Sequence, residues 1–137
     1  MQTEESFGVI PLKKLGSDWQ VFIVQHNAGH WAFPKGHAIG SEPPQTTAKR
    51  ELEEETGLRL VTFLHFPPLQ EQYIYDSKEH GMTEKTVTYY LAEVVGNPVL
   101  QKDEIADGKW VGVNHIHEYL TFTEAQVLAK KVFHLLA

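Results

Sequence analysis

Cysteine is absent from all 137 residues. Disulfides, thiolate nucleophiles and cysteine-based zinc centres are thereby excluded. Long apolar runs are also missing: none approaches the roughly 18 residues that a membrane span needs. The acidic start Met1-Gln2-Thr3-Glu4-Glu5 is not followed by the apolar core of a signal peptide. The expectation is a soluble, cytoplasmic protein. Positive charge is in short supply, with 12 Lys+Arg against 18 Asp+Glu and a formal net charge of −6. Neither nucleic acid nor a membrane surface is an expected partner, because both call for a basic face. No linker, repeat or low-complexity tract divides the chain, so residues 1–137 are expected to form one domain. A chain of this length buries about 68–70% of its unfolded surface, enough for an ordinary core. Oligomeric state is not encoded in any pattern here, and a monomer is compatible with the sequence.

What is present is unevenly placed. Residues 42 to 55 hold five glutamates (Glu42, Glu51, Glu53, Glu54, Glu55) against Lys49 and Arg50, a local charge of −3 and half the total. Around this cluster the pattern alternates between strands and helices. Phe7 to Leu12 and Trp19 to Gln25 read as strands about a turn at Leu15-Gly16-Ser17-Asp18. The continuous run Val21-Phe22-Ile23-Val24 predicts a strand covered on both faces. Asn27 to Ser41 reads as a loop. A helix is predicted from Pro43 or Pro44, where a missing N–H costs little, to Gly57 as the residue that ends it. Leu60 to Phe66, Gln70 to Tyr75, Lys85 to Val95 and Lys109 to Val113 read as further strands. Thr123 with Gln126 resembles a capping box opening a last amphipathic helix that carries Leu128, Val132, Leu135 and Leu136. Strands on both sides of a central helix, with a terminal helix, imply an α/β or α+β fold: a mixed sheet between helical layers.

On the predicted central helix, at about 100° per residue, Ala48 and Leu52 form an apolar stripe. Glu51, Glu54 and Glu55 make an adjoining acidic strip, while Glu53 points elsewhere. The Glu51–Glu54 and Glu51–Glu55 pairs repel as neighbours on the helix surface. They also sit in the helix's second half, where the dipole disfavours each anion by about 0.3–1 kcal/mol. Two readings are open: a solvated acidic face partly offset by Lys49 or Arg50, or a strip completed by a cation. All-oxygen ligands would select a hard ion, Mg²⁺ or Mn²⁺, and several carboxylates within a turn can hold more than one. Such sites suit phosphoryl chemistry.

These residues also match a known pattern. Gly36, five residues, Glu42, seven residues and then Arg50-Glu51-Leu52-Glu53-Glu54-Glu55-Thr56-Gly57-Leu58 reproduce the complete Nudix box. At average residue usage a chance match in one window is on the order of one in a billion. The chain resembles the Nudix hydrolases, and the resemblance implies an α/β/α sandwich with a mixed central sheet and cleavage of nucleoside diphosphate linkages with divalent cations. It implies metal ligation by Glu51, Glu54 and Glu55, orientation of the carboxylates by Arg50, and anchoring of the loop-to-helix turn by Glu42.

The segments Trp31-Ala32-Phe33-Pro34-Lys35-Gly36-His37 and Lys85-Thr86-Val87-Thr88-Tyr89-Tyr90-Leu91-Ala92 are similar to asymmetric diadenosine tetraphosphate hydrolases of the animal and bacterial type. That similarity implies phosphate contacts from His30, Lys35, His37 and Lys85. It implies a base stacked on Tyr89 and on Tyr75 or Tyr73, and a further metal ligand in Glu104. Strand alternation places Lys85, Val87, Tyr89 and Leu91 on one face, about 13 Å separating the lysine from Tyr89. On pattern alone, Tyr89 serves equally well as a core residue. The expected reaction is Mg²⁺-dependent attack of water on an end phosphorus of the dinucleotide, releasing ATP and AMP, with Glu54 accepting the water's proton. Other Nudix specificities, such as nucleotide sanitation, RNA 5′-pyrophosphate removal or diphosphoinositol cleavage, and a non-catalytic nucleotide sensor are the competing expectations.

Overall fold

The computed structural model describes residues 1–137. Eight strands form one mixed sheet: β1 (Gln2–Leu15), β2 (Asp18–His26), β3 (Trp31–Ala32), β4 (Lys35–Gly36), β5 (Arg59–Phe63), β6 (Leu69–Ser77), β7 (Gly81–Val95) and β8 (Ile105–Gly112). Two helices, α1 (Pro44–Thr56) and α2 (Thr123–Leu136), accompany it, with a 3₁₀ turn at Ile116–Glu118. The sheet is mixed because β1 runs parallel to β7, while the other pairings are antiparallel. The predicted α+β architecture is what the chain adopts. Neither helix is long and apolar enough to cross a membrane.

Both faces of the sheet are covered, as the apolar run in β2 requires. Val21 and Ile23 join Ile10, Leu12, Val87, Tyr89 and Leu91 in a core packed on Ala125, Leu128, Ala129 and Val132 of α2. Phe22 and Val24 face the other way, with Val9, Ala92 and Val94, onto Ala48 and Leu52 of α1. Side-chain alternation along each strand divides the two cores.

Several element bounds differ from the sequence reading. β1 begins at Gln2 because its polar start pairs in register with β7, Glu4 opposite Lys85. The strands expected at Gln70 to Tyr75 and Lys85 to Val95 both extend into the segment between them, which is a tight hairpin with Asp76 opposite Met82 and Ser77 opposite Gly81. The loop from Asn27 to Ser41 contains the two-residue strands β3 and β4. α1 opens with Pro44 and ends at Gly57, whose φ of 71° closes the helix through its N–H to the Glu53 carbonyl (3.0 Å). The capping box at Thr123 is not formed: Phe122 is the N-cap, without a side-chain cap bond. Gln126 instead donates to the Leu120 carbonyl (2.9 Å).

Candidate active site

The acidic strip of α1 is organised by Arg50. Its Nε donates to Glu42 Oε2 (2.9 Å), and Nη2 donates to Glu42 Oε1 (3.0 Å) and to the His37 carbonyl (2.9 Å). Nη1 donates to Glu51 Oε1 (3.0 Å) and to Glu54 Oε2 (3.2 Å). One guanidinium therefore binds three carboxylates and fixes the loop that precedes the helix. Glu42 also accepts from Thr47 Oγ1 (2.7 Å) and from the Ile39 amide (3.2 Å). The Arg50 bond, above all, pulls the Glu42 carboxyl down to a pKa of about 2.

The Glu51 carboxylate lies directly over Gly36, where a Cβ would stand 2.0 Å from Glu51 Cδ. Only the absence of a side chain at position 36 lets the carboxylate sit there. Glu54 remains half in solvent, at 49% side-chain exposure. Glu55 is different: it is 1% exposed, on the apolar side of α1, and its Oε1 has no hydrogen-bond partner. Burial, then the neighbouring Glu51 and Glu104 carboxylates, push its pKa up to about 9. Glu104, exposed just before β8, is thus close enough to act on Glu55 electrostatically.

This donor set fits a hard divalent cation. The groups are carboxylate oxygens only, and a buried, unpartnered Glu55 oxygen next to two further carboxylates calls for positive charge. Chelation requires side-chain adjustment, since no three Asp, Glu or His groups converge on one ligating point as they stand. Arg50 engages Glu51 and Glu54 instead.

Beside the acidic cluster lies a cavity of about 530 Å³, whose lining includes His30, Lys35, Lys85, Tyr73, Tyr75 and Phe122. Lys35 links the two regions, because the carboxylates of Glu71 in the cavity and Glu55 in the cluster both support its charge. Burial, then Lys85, nonetheless lower its pKa. His30 stacks on His26 at 4.3 Å between ring centroids and meets Phe122 at 5.3 Å. Burial and Lys35 depress its pKa. Burial, more than the charges of His30 and Lys35, takes His26 to about 4, so its ring is neutral at pH 7.

Tyr73 and Tyr75 share one face of β6, whose alternate residues are half-buried, and their rings lie 6.1 Å apart. Both therefore reach the cavity. Tyr89 requires a correction. It stands in the cavity wall, but at 1% exposure with Phe33 edge-on at 5.4 Å it has no open ring face for a base. Its ring is instead part of the core that holds Phe33, Val87 and Leu91 together with Ala125 and Leu128 of α2.

Two acidic residues were not anticipated. Glu4 accepts from Lys85 Nζ (2.9 Å) and Tyr75 Oη (2.5 Å) and lies 2.9 Å from His37 Nε2. These contacts, led by the tyrosine hydroxyl, lower its pKa to about 2. Glu71, in the cavity beside Lys35, has a buried oxygen without a partner and a raised pKa, chiefly from burial. Its place on the Tyr73–Tyr75 face was readable from strand alternation. Nothing local in the sequence marks Glu4.

Comparison with known proteins places this geometry. The family model described as the NUDIX domain matches residues 3–133. A putative mutator protein MutT4 of Mycobacterium tuberculosis is 30% identical over 101 residues, 73% of this chain and 40% of that protein. An asymmetrical bis(5′-nucleosyl)-tetraphosphatase of Rattus norvegicus is 32% identical over 98 residues, 69% of this chain and 64% of that protein. The match thus spans less than two thirds of either relative's length. A crystal structure of a C. elegans Ap4A hydrolase binary complex superposes with a TM-score of 0.75, covering 96% of both chains at 24% identity.

Proposed function

The chain belongs to the NUDIX domain family, and from that premise we propose that it is a Mg²⁺-dependent asymmetric dinucleoside tetraphosphatase, cleaving diadenosine tetraphosphate to ATP and AMP. One observation carries the reading: a buried, unpartnered glutamate in a carboxylate cluster adjoins a cavity that offers lysines and open tyrosine rings. Metal-bridged polyphosphate with an attached base is the ligand chemistry that uses all three. Similarity to the rat tetraphosphatase supports the substrate class.

Glu51, Glu55 and Glu104, with Glu54, would hold the divalent cations. A bound cation offsets phosphate charge and lowers the pKa of a water. The chain's own groups do the rest. Arg50 keeps Glu51 and Glu54 aligned and ties the preceding loop through the His37 carbonyl. Lys35 faces the polyphosphate nearest the cluster, with His30, His37 and Lys85 as its further phosphate contacts. Tyr75 and Tyr73 hold a base by stacking, worth about 0.5–1.5 kcal/mol beyond area burial. The water's oxygen forms a bond to an end phosphorus, and the bond from that phosphorus to the bridging oxygen breaks. ATP leaves with the electron pair, and Glu54 accepts the water's proton, a role worth about 10²–10⁴ in rate.

Chromatographic product analysis with Mg²⁺ tests the proposal. ATP plus AMP from diadenosine tetraphosphate supports it, and ADP as the sole product refutes it. Preferential hydrolysis of nucleoside triphosphates would favour nucleotide sanitation, the reading that similarity to the mycobacterial mutator protein suggests. Binding without turnover would favour a sensor.

A further inference from the structure

Glu4 gathers three of the groups assigned to substrate. Lys85 Nζ, His37 Nε2 and Tyr75 Oη all point to its carboxylate. These partners come from three separate parts of the chain: β7, the loop after β4, and β6. The Glu4–Lys85 pair is well sheltered, with 23% and 13% of the two side chains exposed. The β1–β7 register sets the two residues opposite each other, so backbone pairing holds the carboxylate in place. Tyr75 lines both the cavity of about 530 Å³ and a neighbouring polar one of about 580 Å³, in whose wall Glu4 and His37 stand. The knot thus lies at the boundary between the two spaces. As it stands, Lys85 offers an incoming phosphate no uncompensated charge, because a carboxylate already takes the place of an anion.

We propose that Glu4 is an internal competitor for phosphate: its carboxylate occupies the donors of Lys85, His37 and Tyr75, and a polyphosphate binds there by displacing it. The inference rests on the reading that Lys85 and His37 receive substrate phosphates. The exchange makes Glu4 a specificity-determining residue. A ligand must bring enough negative charge and enough contacts to replace a carboxylate held by three donors. Polyphosphates do so better than a single phosphate. An ion pair remote from the phosphate contacts would leave binding little changed, and a gain from charge removal alone would persist without Lys85.

The test is calorimetric titration with inorganic tripolyphosphate in the presence of a chelator. It uses the wild-type chain, Glu4→Gln, and Glu4→Gln combined with Lys85→Met. Removing the charge while keeping the shape should tighten binding about tenfold, the scale of one hydrogen bond to a charged group. The gain should vanish in the double variant. Glu4→Asp, whose shorter side chain cannot span all three partners, should shift the affinity in the same direction by less. Unchanged or weaker binding by folded Glu4→Gln overturns the proposal. Collapse of both single variants assigns Glu4 to the fold and also overturns it. Tripolyphosphate binding needs no turnover, so a failure to hydrolyse diadenosine tetraphosphate would sink the proposed reaction and leave this measurement intact.

Discussion

Replacing Gly36 by alanine separates the geometry of the carboxylate cluster from the stability of the fold. The new Cβ would lie 2.0 Å from Glu51 Cδ and 2.3 and 2.4 Å from its two oxygens, whereas ordinary contact begins at 3.4 Å. The carboxyl carbon must therefore retreat by about 1.4 Å. Gly36 does not have positive φ, so alanine meets no backbone strain and the conflict is one of space alone. The obstacle is the far end of a flexible side chain, which makes the structural cost small. An off-rotamer Glu51 costs about 0.5–1.5 kcal/mol. The weakened Arg50–Glu51 pair, whose side chains are 22% and 17% exposed, adds about 1 kcal/mol. Reduced freedom of the unfolded chain returns about 0.4–1 kcal/mol. The net is about 1 kcal/mol, a fall in Tm of about 3–6 °C for a chain of this size. Catalysis should suffer far more, because a misplacement of about 1 Å costs on the order of 10²-fold in rate. Steady-state hydrolysis and thermal melting on the same samples check the contrast. Near-wild-type kcat in Gly36→Ala, or a loss of Tm well above 10 °C, would refute the reasoning.

Arg50→Lys should lower kcat by about 10²-fold, since an ammonium cannot hold three carboxylates and the His37 carbonyl as the planar guanidinium does; kinetics with unchanged activity would contradict this. Glu55 has its pKa raised from 4.5 to about 9, so the native state keeps a proton that the unfolded chain releases. Without metal, stability should fall as pH rises from about 4.5 towards 9, and Glu55→Gln should remove that slope while abolishing turnover. Melting curves against pH in a chelator decide it, and an unaltered slope in the variant counts against the burial argument. Glu4 and Glu42 have pKa values lowered to about 2, so their contribution is complete above 4.5 and lost as pH falls towards 2. Urea unfolding across that range should show a steep acid loss, shallower in Glu42→Gln.

Legibility in the sequence followed the range of the interaction. The bounds of α1 were readable because Pro44 and Gly57 act on their own backbone. The two-sided burial of β2 was readable because four consecutive apolar residues need cover on both faces. The acidic strip was readable as a strip, yet its division was not. Glu55 lies only about 20° from Ala48 on the helical wheel, and packing against the sheet decides that it is buried. β3 and β4 escaped because two residues carry no period. Glu4 escaped because its partner Lys85 lies 81 positions away, joined by a parallel pairing that no local pattern encodes. For Tyr89 alternation identified the face, but packing against Phe33 and the rest of the core, which is distant in sequence, decides that the ring is covered.

The glutamates of residues 42 to 55 therefore serve different ends despite a common charge. Glu42 is neutralised by bonds from Arg50 and Thr47 and has become part of the loop's architecture. Glu51 and Glu54 share Arg50, with Glu54 half exposed and Glu51 largely covered over Gly36. Glu53 accepts weakly from the Leu60 amide (3.4 Å), at the start of β5. Glu55 alone is both buried and unmet. An isolated carboxylate there is unfavourable enough to retain a proton. A divalent cation held there would supply the positive charge that this buried oxygen lacks. The placement of Glu55, more than the number of glutamates, is what argues for a cation site over a solvated acidic face, because a face kept in water has no cause to bury a carboxylate.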